Sequence, residues 1–190
     1  MGVTGASGAA YGVRVLEACA EMGVETHLIV SRAAALTLKS ETGLSLAQVS
    51  AKAAKTYRPG DVGASIASGS YRTLGMIVAP CSVKTMSEIA TGVTSGLLTR
   101  AADVTLKERR SLVLMVRETP LHLGHLRTLV SLAEMGAIIA PPMPALYAKP
   151  ASIEAMIDQS VGRALDLFGL EWSRVRRWGE DLAPIAGEAV

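Results

Sequence analysis

The stretch that decides the fold lies at residues 2–12, GVTGASGAAYG, close to the beginning of the chain. Its glycines permit a tight turn and a close approach of the backbone, and Ser7 can cap the helix that the next residues predict. The amides at such a helix N-terminus favour an anion, so the chemistry of this loop is that of a phosphate site. A helix cap after a tight turn, with no ligand at all, is the alternative that the loop alone leaves open.

Two better-known loop motifs do not fit this stretch. The pattern GxxxxGK[ST] is absent, which argues against hydrolysis of a nucleoside triphosphate, and GxxGxxG by itself is a weak sign of dinucleotide binding. Ser7 is not a hydrolase nucleophile of the GxSxG kind, because Ala9 stands where the second glycine would be. The loop therefore predicts anion binding without naming the ligand.

Composition restricts the class of protein. The chain has 190 residues, of which 49% are hydrophobic and 19% charged, which indicates one compact domain with a well-filled core and excludes overall disorder. A net charge of +2 is too balanced for a general nucleic-acid or membrane-surface protein, so positive charge must act locally. Aromatic residues make up only 4% of the chain, so any aromatic side chain near a binding loop stands out.

The sequence also favours a cytoplasmic protein. No stretch approaches the roughly 18 consecutive apolar residues of a membrane-spanning helix, and no basic segment followed by an apolar region indicates a secretion signal at the start. Cys19 and Cys81 have no CxxC or Cys/His spacing, so neither a disulfide framework nor a structural zinc site is indicated.

Short apolar runs alternate with longer segments of helical pattern, which predicts an α/β protein with a doubly wound, mostly parallel sheet. The apolar runs are nearly continuous, which is typical of strands buried on both faces, and residues 1–4 resemble the end of one more strand. The predicted strands are 25–30, 75–79, 111–116 and 137–140. The predicted helices are 9–22, 32–40, 83–90, 97–109, 122–135 and 153–168, and apolar residues in the fifth follow amphipathic spacing.

Ligands of an open parallel sheet bind beyond the carboxyl ends of its strands, so the strand-to-helix junctions form the candidate site. Five junctions are rich in small or polar residues: 5–8, 31–32, 80–85, 117–120 and 141–147. The third offers the hydroxyls of Ser82 and Thr85 and the ammonium of Lys84 to a second phosphate or to the polar edge of a ring. Cys81, at the end of a buried strand, is interpreted as a small core residue and not as a nucleophile.

Charged residues indicate an anion site as well. Arg100 and Lys107 lie on one face of a predicted helix, and with Arg117 and Arg163 four cations could converge on one anion. Glu118 interrupts an apolar strand together with Arg117, so neither charge can be buried cheaply. Beside a bound phosphate, this carboxyl group could act as a general acid or base.

The neighbouring charged residues receive simpler interpretations. Glu108, Arg109 and Arg110 are interpreted as a solvated helix face. His122 and His125 lack the partners of a metal site and are interpreted as helix residues or oligomer contacts.

Seven ordered blocks cover nearly the whole chain and carry a resemblance to one family. They are GVTGASGAAYGVRVLE, APCSVKTMSEIATG, GLLTRAADVTLKERRSLVL, VRETPLHLGHLRTL, GAIIAPPMPALY, VGRALDLFG and RRWGE. In these blocks the sequence closely resembles the UbiX family of flavin prenyltransferases. Seven blocks in order are far more specific than one glycine loop.

The resemblance implies a single flavin-binding domain over 1–190 with a three-layered, Rossmann-like flavoprotein fold. Residues from about 171 to 190 would form a C-terminal extension packed on the site or on a neighbouring subunit. The implied enzyme joins the dimethylallyl group of dimethylallyl phosphate, or of the diphosphate, to N5 and C6 of reduced FMN without a metal. Its product, prenylated FMN, would serve a UbiD-type decarboxylase, and the enzyme would be a homo-oligomer, a dodecamer with sites at subunit interfaces.

The resemblance also implies roles for individual residues. Those matched to FMN binding are Gly5, Ala6, Ser7, Gly8, Ser31, Ser82, Val83, Lys84, Thr85 and Arg117. Those matched to the prenyl phosphate are Ser68, Arg100, Lys107, Glu118, Tyr147 and Arg163. For catalysis, Ser7 and Glu41 match a pair that moves a proton around the flavin ring, and the other matches are Glu118, Lys107 and Trp178.

The sequence departs from the family pattern at two positions. Val62 stands where some members have Trp, so stabilisation of an allyl cation would depend more on Trp178 and the flavin. Leu146 replaces the common Phe before Tyr147, which implies a change in packing. Two other functions stay as alternatives: an FMN-dependent decarboxylase of the related flavoprotein fold, and a non-catalytic flavin carrier. A second anion pocket argues against both, because neither needs one.

Overall fold

The computed structural model describes residues 1–181 and shows a six-stranded sheet with helices on both faces. The strands are β1 (Gly2–Val3), β2 (His27–Val30), β3 (Lys55–Tyr57), β4 (Gly75–Cys81), β5 (Ser111–Val116) and β6 (Ile138–Ile139). The helices are α1 (Ala9–Glu21), α2 (Arg32–Thr42), α3 (Leu46–Ser50), α4 (Val83–Thr91), α5 (Leu97–Lys107), α6 (Leu123–Glu134) and α7 (Ile153–Asp166). Single 3-10 turns lie at Ser65–Ala67 and Leu146–Ala148.

Strand β1 lies in the centre of the sheet, whose order is β3-β2-β1-β4-β5-β6. Every pairing is parallel, with Gly2 opposite Ile29 of β2 and Val78 of β4. The chain winds outward from β1 to β3, returns to the other side of β1, and winds outward again. This order confirms the predicted doubly wound sheet.

Two short elements escape the sequence patterns. Strand β3 has three residues, of which only Tyr57 is buried, so it lacks the apolar run that indicates a strand. Helix α3 has five residues, too few to show helical spacing, although Ser45 and Gln48 form a capping box at its start. The strand end expected at residues 1–4 is β1.

Serine side chains determine where several helices begin. Ser31, Ser82 and Ser152 each accept a hydrogen bond from the backbone N–H three residues later, at the starts of α2, α4 and α7. Helices α2 and α4 end at Gly43 and Gly92, which adopt the left-handed conformation that glycine tolerates. These caps explain why the predicted starts at 32, 83 and 153 agree with the structure.

The sheet separates two layers of helices, so the fold has three layers. Along β5, Leu112 and Leu114 belong to a buried cluster with α4, α5 and α6, whereas Val113 and Met115 belong to one with α1 and α7. A third buried cluster joins α1 to α2. Burial of both sheet faces explains the nearly continuous apolar runs of the strands.

Helix α6 buries less of its apolar surface than its spacing predicts. Only Leu132 of this helix is buried, whereas Leu123, Leu126 and Val130 are exposed in the single chain. We name these three exposed residues the α6 apolar face. The spacing is therefore that of an amphipathic helix, but part of its apolar side points outward.

Other expectations concern the chain as a whole. Among the helices of residues 1–181, none has the length and apolar content needed to cross a membrane. Cys19 and Cys81 are both buried and free. A single domain over 1–190 stays a prediction, because 182–190 lie outside the described residues.

The close packing of α1 on β4 provides a first test. A Cβ atom on Gly12 would lie 2.5 Å from the carbonyl oxygen of Ala79. We expect Gly12→Ala to lower the free energy of unfolding by about 1–3 kcal/mol through overpacking, measured by urea denaturation at fixed protein concentration. The control is Gly60→Ala, because a Cβ atom there meets nothing within 4 Å. Equal stability of the two variants would contradict the packing described.

Candidate functional site

A buried threonine holds two of the predicted junctions side by side. The Thr4 hydroxyl donates to the carbonyl oxygen of Pro80 at 2.7 Å and accepts from the backbone N–H of Ser82 at 2.8 Å. The carboxyl ends of β1 and β4 are thereby joined, and the loops that follow them are neighbours. Sequence reasoning did not single out Thr4, although a lone hydroxyl at the end of an apolar strand is a usable signal.

Two positions of the first loop require glycine, each for a different structural reason. A Cβ atom on Gly5 would lie 2.4 Å from the Cβ atom of Ala33, so this glycine lets the loop approach the start of α2. Gly8 has a φ of 101°, a conformation that side chains disfavour, and it is the N-cap of α1. Gly8 provides no side-chain cap, so α1 needs an acceptor from elsewhere.

Glu41, near the end of α2, provides that acceptor. Its Oε2 atom accepts hydrogen bonds from the backbone N–H groups of Gly8 and Ala9, both at 2.8 Å. The N-terminus of α1 is therefore satisfied by a carboxylate of the same chain. A phosphate at this N-terminus would have to share it with a fixed negative charge, so the first loop as a phosphate site stays a prediction.

The electrostatic environment keeps Glu41 ionised. Burial acts to raise its pKa, but the Ser7 hydroxyl, the two backbone amides and the charge of Arg117 outweigh burial and hold the pKa below its ordinary value. Ser7 and Glu41 therefore lie together, as the family resemblance implies for a proton-moving pair.

Two further helix N-termini lie at the same edge of the sheet. Ser31 caps α2 by accepting from the N–H of Ala34 at 3.1 Å, and Ser82 caps α4 by accepting from the N–H of Thr85 at 3.4 Å. The Ser82 hydroxyl also donates to Thr85 Oγ1 at 3.2 Å. Lys84 is exposed and pairs with Glu88, one turn along α4, at 2.6 Å.

Arg117 lies beside the first loop. Its Cγ atom is 3.9 Å from the position of a Cβ atom on Gly8, and its backbone N–H donates to the carbonyl oxygen of Cys81 at 3.0 Å. Glu118 is exposed, and its Oε1 atom accepts from the N–H of Thr119 at 3.0 Å. We name as the loop cluster the predicted residues at this edge: Gly5, Ala6, Ser7, Gly8, Ser31, Glu41, Ser82, Val83, Lys84, Thr85, Arg117 and Glu118.

A second group of predicted residues surrounds α5. Arg100 Nε donates to the carbonyl oxygen of Ala67 at 3.3 Å and pairs with Asp103 at 2.7 Å. Lys107 Nζ lies 2.7 Å from the position of a Cβ atom on Gly69, the residue after Ser68. We name Ser68, Arg100 and Lys107 the α5 cluster.

A single chain does not bring the four predicted cations together. Lys107 ends α5, just before the amino end of β5, whereas Arg117 follows its carboxyl end. The six residues of β5 separate the two positions by about 20 Å. The expected convergence of Arg100, Lys107, Arg117 and Arg163 on one anion is therefore wrong for one isolated chain.

The interpretation of 108–110 as a solvated helix face needs correction at Arg110, whereas Glu108 and Arg109 are exposed and follow the last residue of α5, Lys107. Glu108 forms an ion pair with Lys107. Arg110 donates to the carbonyl oxygens of Gly69 at 2.7 Å and Tyr71 at 2.8 Å, so it supports the segment that carries Ser68.

A third group contains the two aromatic candidates. Tyr147 and Trp178 meet edge to face, with ring centroids 5.9 Å apart and an interplanar angle of 83°. Arg163, on α7, is exposed and pairs with Asp166 at 2.5 Å. We name Tyr147, Arg163 and Trp178 the C-terminal cluster.

The segment from Leu170 to Asp181 is attached to α1 and α7. The Trp172 indole N–H donates to Glu21 at 2.8 Å, and the guanidinium groups of Arg14 and Arg174 lie 5.0 and 5.6 Å from its ring centroid. Arg177 makes two hydrogen bonds to Asp166, at 2.8 and 3.0 Å. The remainder of the predicted extension, 182–190, lies outside the described residues.

Cys81 and the two histidines of the α6 region, which could be reactive or bind a metal, have structural roles instead. Burial raises the pKa of the Cys81 thiol to about 12, which argues against a nucleophile. His122 caps α6 and stacks on His125 with ring centroids 3.6 Å apart. Within residues 1–181, no group of three His, Cys, Asp or Glu side chains is arranged to hold a metal ion.

An open cavity of about 1000 Å³ lies at the carboxyl ends of β2 and β3, on the edge that carries the loop cluster. It is lined by Arg32, Lys55 and Arg58, and by the loop that contains the exposed Val62. A smaller cavity of about 290 Å³ opens at the opposite edge, beside Met1 and Gly75. Its position at the amino ends of the strands separates it from the loop cluster.

The chain is similar to a well-populated set of proteins. The family described as Flavoprotein matches residues 1–165. The protein named Flavin prenyltransferase UbiX from Escherichia coli strain K12 is 56% identical over 171 residues, covering 90% of each chain. The Thauera aromatica protein of the same name is 52% identical over 178 residues, covering 94% of this chain and 92% of the relative.

Solved structures of UbiX proteins are similar to this chain as well. AnUbiX in complex with FMN and dimethylallyl pyrophosphate has a TM-score of 0.92 at 49% identity, covering 93% of this chain and 94% of that one. A dodecameric FMN-dependent UbiX-like decarboxylase from Escherichia coli O157:H7 has a TM-score of 0.91 at 49% identity, covering 93% and 96%. The FMN-dependent cysteine decarboxylase TvaF, at 14% identity and a TM-score of 0.64, shares the fold alone.

The Glu41 carboxylate predicts a pH dependence. Because its pKa is lowered in the folded state, it stabilises the protein above its ordinary pKa of about 4.5, and this stabilisation is lost as the pH falls through the folded-state pKa. Wild type should therefore lose melting temperature more steeply than Glu41→Gln on acidification below about pH 4.5. Thermal unfolding across this range measures the difference, with the exposed Glu134→Gln as control. Parallel curves for wild type and Glu41→Gln would refute the role.

Proposed function

The chain belongs to the Flavoprotein family and, within it, to the UbiX flavin prenyltransferases, and from this we propose that it transfers a dimethylallyl group to reduced FMN. The donor is dimethylallyl phosphate or the diphosphate. The observation that carries the proposal is that one chain holds both the loop cluster and further cations in the α5 and C-terminal clusters. A flavin carrier or an oxidative decarboxylase needs no second anion pocket.

The loop cluster fits FMN on physical grounds. Glu41 occupies the N-terminus of α1, so the FMN phosphate is expected at the N-termini of α2 and α4, where Ser31, Ser82 and Thr85 present hydroxyl groups. Arg117, beside the first loop, adds a positive charge. Gly5 and Gly8 keep the loop thin enough for a flat ring to approach the backbone.

Reduced FMN supplies the nucleophilic N5 atom and the ring carbon C6. Breaking the bond between prenyl C1 and the phosphate oxygen leaves negative charge on the phosphate and positive charge on the allyl group. Fixed cations stabilise the first, and we assign this role to Arg100, Lys107 and Arg163. The ring faces of Tyr147 and Trp178 stabilise the second, and we assign to the Tyr147 hydroxyl a hydrogen bond to the phosphate, as the family resemblance implies.

Proton transfers complete the reaction. We assign to Glu118 the proton that the departing phosphate takes up. In the second step prenyl C2 gains a proton from that phosphate, C3 bonds to C6, and the phosphate accepts the proton that C6 releases. Ser7 and Glu41 are proposed to move a proton at the flavin ring. The ionised state of Glu41 suits it to accept one.

The separation of the clusters requires more than one chain for a complete site. We propose that the α5 cluster of one chain meets the loop cluster of another in a homo-oligomer, a dodecamer as in the similar UbiX-like protein. The α6 apolar face supplies surface for such contacts, since exposed apolar patches of this kind mark association sites. The product, prenylated FMN, would pass to a UbiD-type decarboxylase.

We place the protein in the cytoplasm. Its two cysteines are free and buried, which suits a reducing compartment. Immunodetection in cytosolic and membrane fractions tests this placement.

The deciding experiment is anaerobic incubation of the protein with reduced FMN and dimethylallyl phosphate, followed by mass spectrometry of the flavin. The mass should increase by one dimethylallyl group in place of one hydrogen. Dimethylallyl diphosphate and a reaction without donor are run in parallel. Recovery of unmodified FMN with both donors would overturn the proposal, and oxidation of a cysteine-like substrate would favour the decarboxylase instead.

Glu118→Gln tests the general acid. The amide cannot give a proton to the phosphate, so we expect product formation to slow by about 100-fold or more, with FMN affinity unchanged. Single-turnover kinetics and flavin titration measure the two quantities, and Glu134→Gln is the control. Single-turnover rates equal to wild type would exclude the role.

Val130→Glu tests the α6 apolar face. A buried charge at a subunit contact is costly, so the variant should have a lower molar mass by light scattering and lose most of its product formation. Val130→Ala removes apolar area without adding charge and should have a smaller effect. Wild-type protein that is a monomer would contradict the assembly proposed.

A further inference from the structure

A buried amide connects the two aromatic residues of the C-terminal cluster. Gln159, on α7, is only 3% exposed, which is rare for a polar side chain. The roles proposed above leave it unused. Resting on the proposed function, in which Tyr147 binds the prenyl phosphate, we propose that Gln159 is a positioning residue that directs the hydroxyl hydrogen of Tyr147 toward that phosphate.

The backbone of Arg176 determines which way the Gln159 amide points. The Arg176 N–H donates to Gln159 Oε1 at 3.0 Å, and the Arg176 carbonyl oxygen accepts from Gln159 Nε2 at 2.9 Å. A flipped amide would place two donors together and two acceptors together. The orientation of Gln159 therefore follows from chemistry, and its nitrogen must lie on the side of Tyr147.

That orientation settles the direction of the Tyr147 hydrogen bond. Gln159 Nε2 lies 3.3 Å from the Tyr147 hydroxyl oxygen and can only donate to it. Because the hydroxyl accepts from Gln159, its own hydrogen points elsewhere. Tyr147 is 44% exposed, so this hydrogen is available to an anionic ligand on the open side.

The same amide supports the segment that leads to Trp178. Arg163 lies one turn after Gln159 on α7, where its guanidinium pairs with Asp166, which also binds Arg177, the residue before Trp178. By holding the backbone of Arg176, Gln159 also fixes the chain two residues before Trp178, whose ring meets Tyr147. One buried side chain thus contacts Tyr147 directly and holds the segment that leads to Trp178.

An aliphatic residue would fill this position at lower cost in desolvation. Burying an amide is unfavourable unless its hydrogen bonds are made, and Gln159 makes three. Its value lies in the direction of those bonds. Met has a similar length but leaves the N–H and the carbonyl oxygen of Arg176 without partners, so Gln159→Met also removes this backbone support, and the Tyr147→Phe background is needed to separate the two effects.

The test compares Gln159→Glu and Gln159→Met with wild type in the full-length protein loaded with FMN. A carboxylate cannot donate to Tyr147 and would instead accept its hydrogen. We expect the KM for dimethylallyl phosphate to rise about tenfold or more, with FMN affinity unchanged. Calorimetric binding of dimethylallyl phosphate to protein loaded with oxidised FMN should show the same loss without turnover.

Tyr147→Phe makes the test specific. If Gln159 acts through the Tyr147 hydroxyl, Gln159→Met should change the KM for dimethylallyl phosphate much less in the Tyr147→Phe background than alone. Ser160→Ala is the matched control, because Ser160 is the next residue on α7 and also bonds backbone oxygens, those of Met143 and Met156. It should leave both KM and FMN affinity unchanged.

The outcomes separate this inference from the proposed function. Wild-type protein that makes no prenylated FMN overturns both. Active wild type with unchanged KM and binding in the Gln159 variants, or fully additive effects with Tyr147→Phe, overturns the inference alone. Should Gln159→Glu fail to fold, Gln159→Met and Gln159→Asn supply the same comparison, since neither adds a charge.

Discussion

Parallel pairing of all six strands is the constraint from which the rest of the molecule follows. It places every strand-to-helix loop at one edge of the sheet. There the Thr4 hydroxyl joins the ends of β1 and β4 by two hydrogen bonds. The same constraint makes α5 run back to the opposite edge before β5 begins, so Lys107 ends far from Arg117. In one chain the loop cluster and Lys107 of the α5 cluster therefore lie at opposite edges of the sheet. The homo-oligomer proposed above brings the two clusters together.

The loop cluster shows how a helix N-terminus can be satisfied internally. Glu41 supplies the negative charge that α1 needs, and the starts of α2 and α4, which carry hydroxyl groups, are the places we propose for the FMN phosphate. A carboxylate fixed by two backbone amides is also well placed to exchange a proton with a neighbouring hydroxyl such as Ser7. In the proposed reaction, Glu41 therefore serves both the start of α1 and the proton transfer.

The sequence predicted the architecture and most helix starts. Both depend on residues that are close in sequence, namely unbroken apolar runs for the strands and serine caps for the helices. The sequence prediction failed at β3, where a single buried Tyr57 gives no pattern. The sequence also predicted, wrongly for one chain, that four cations converge on one anion. Residue spacing along a helix such as α5 does not show at which edge of the sheet that helix ends. Glu41 was identified as a candidate by the family resemblance and not by any sequence pattern. Gln159 was identified only in the structure, because a polar residue in a helical pattern is expected to be solvated, and its contacts with Arg176 and Tyr147 come from distant parts of the chain.

Both thiols of the chain are buried, and this bears on the chemistry of a reduced flavin. Reduced flavins react with dioxygen to give peroxide, and peroxide attacks thiolates far faster than thiols. Burial raises the pKa of Cys81 to about 12, and it also raises the pKa of Cys19 against the opposing charge of the chain's amino group. Neither cysteine is therefore a thiolate at neutral pH. Peroxide formed from a reduced flavin therefore meets no reactive thiolate at Cys19 or Cys81.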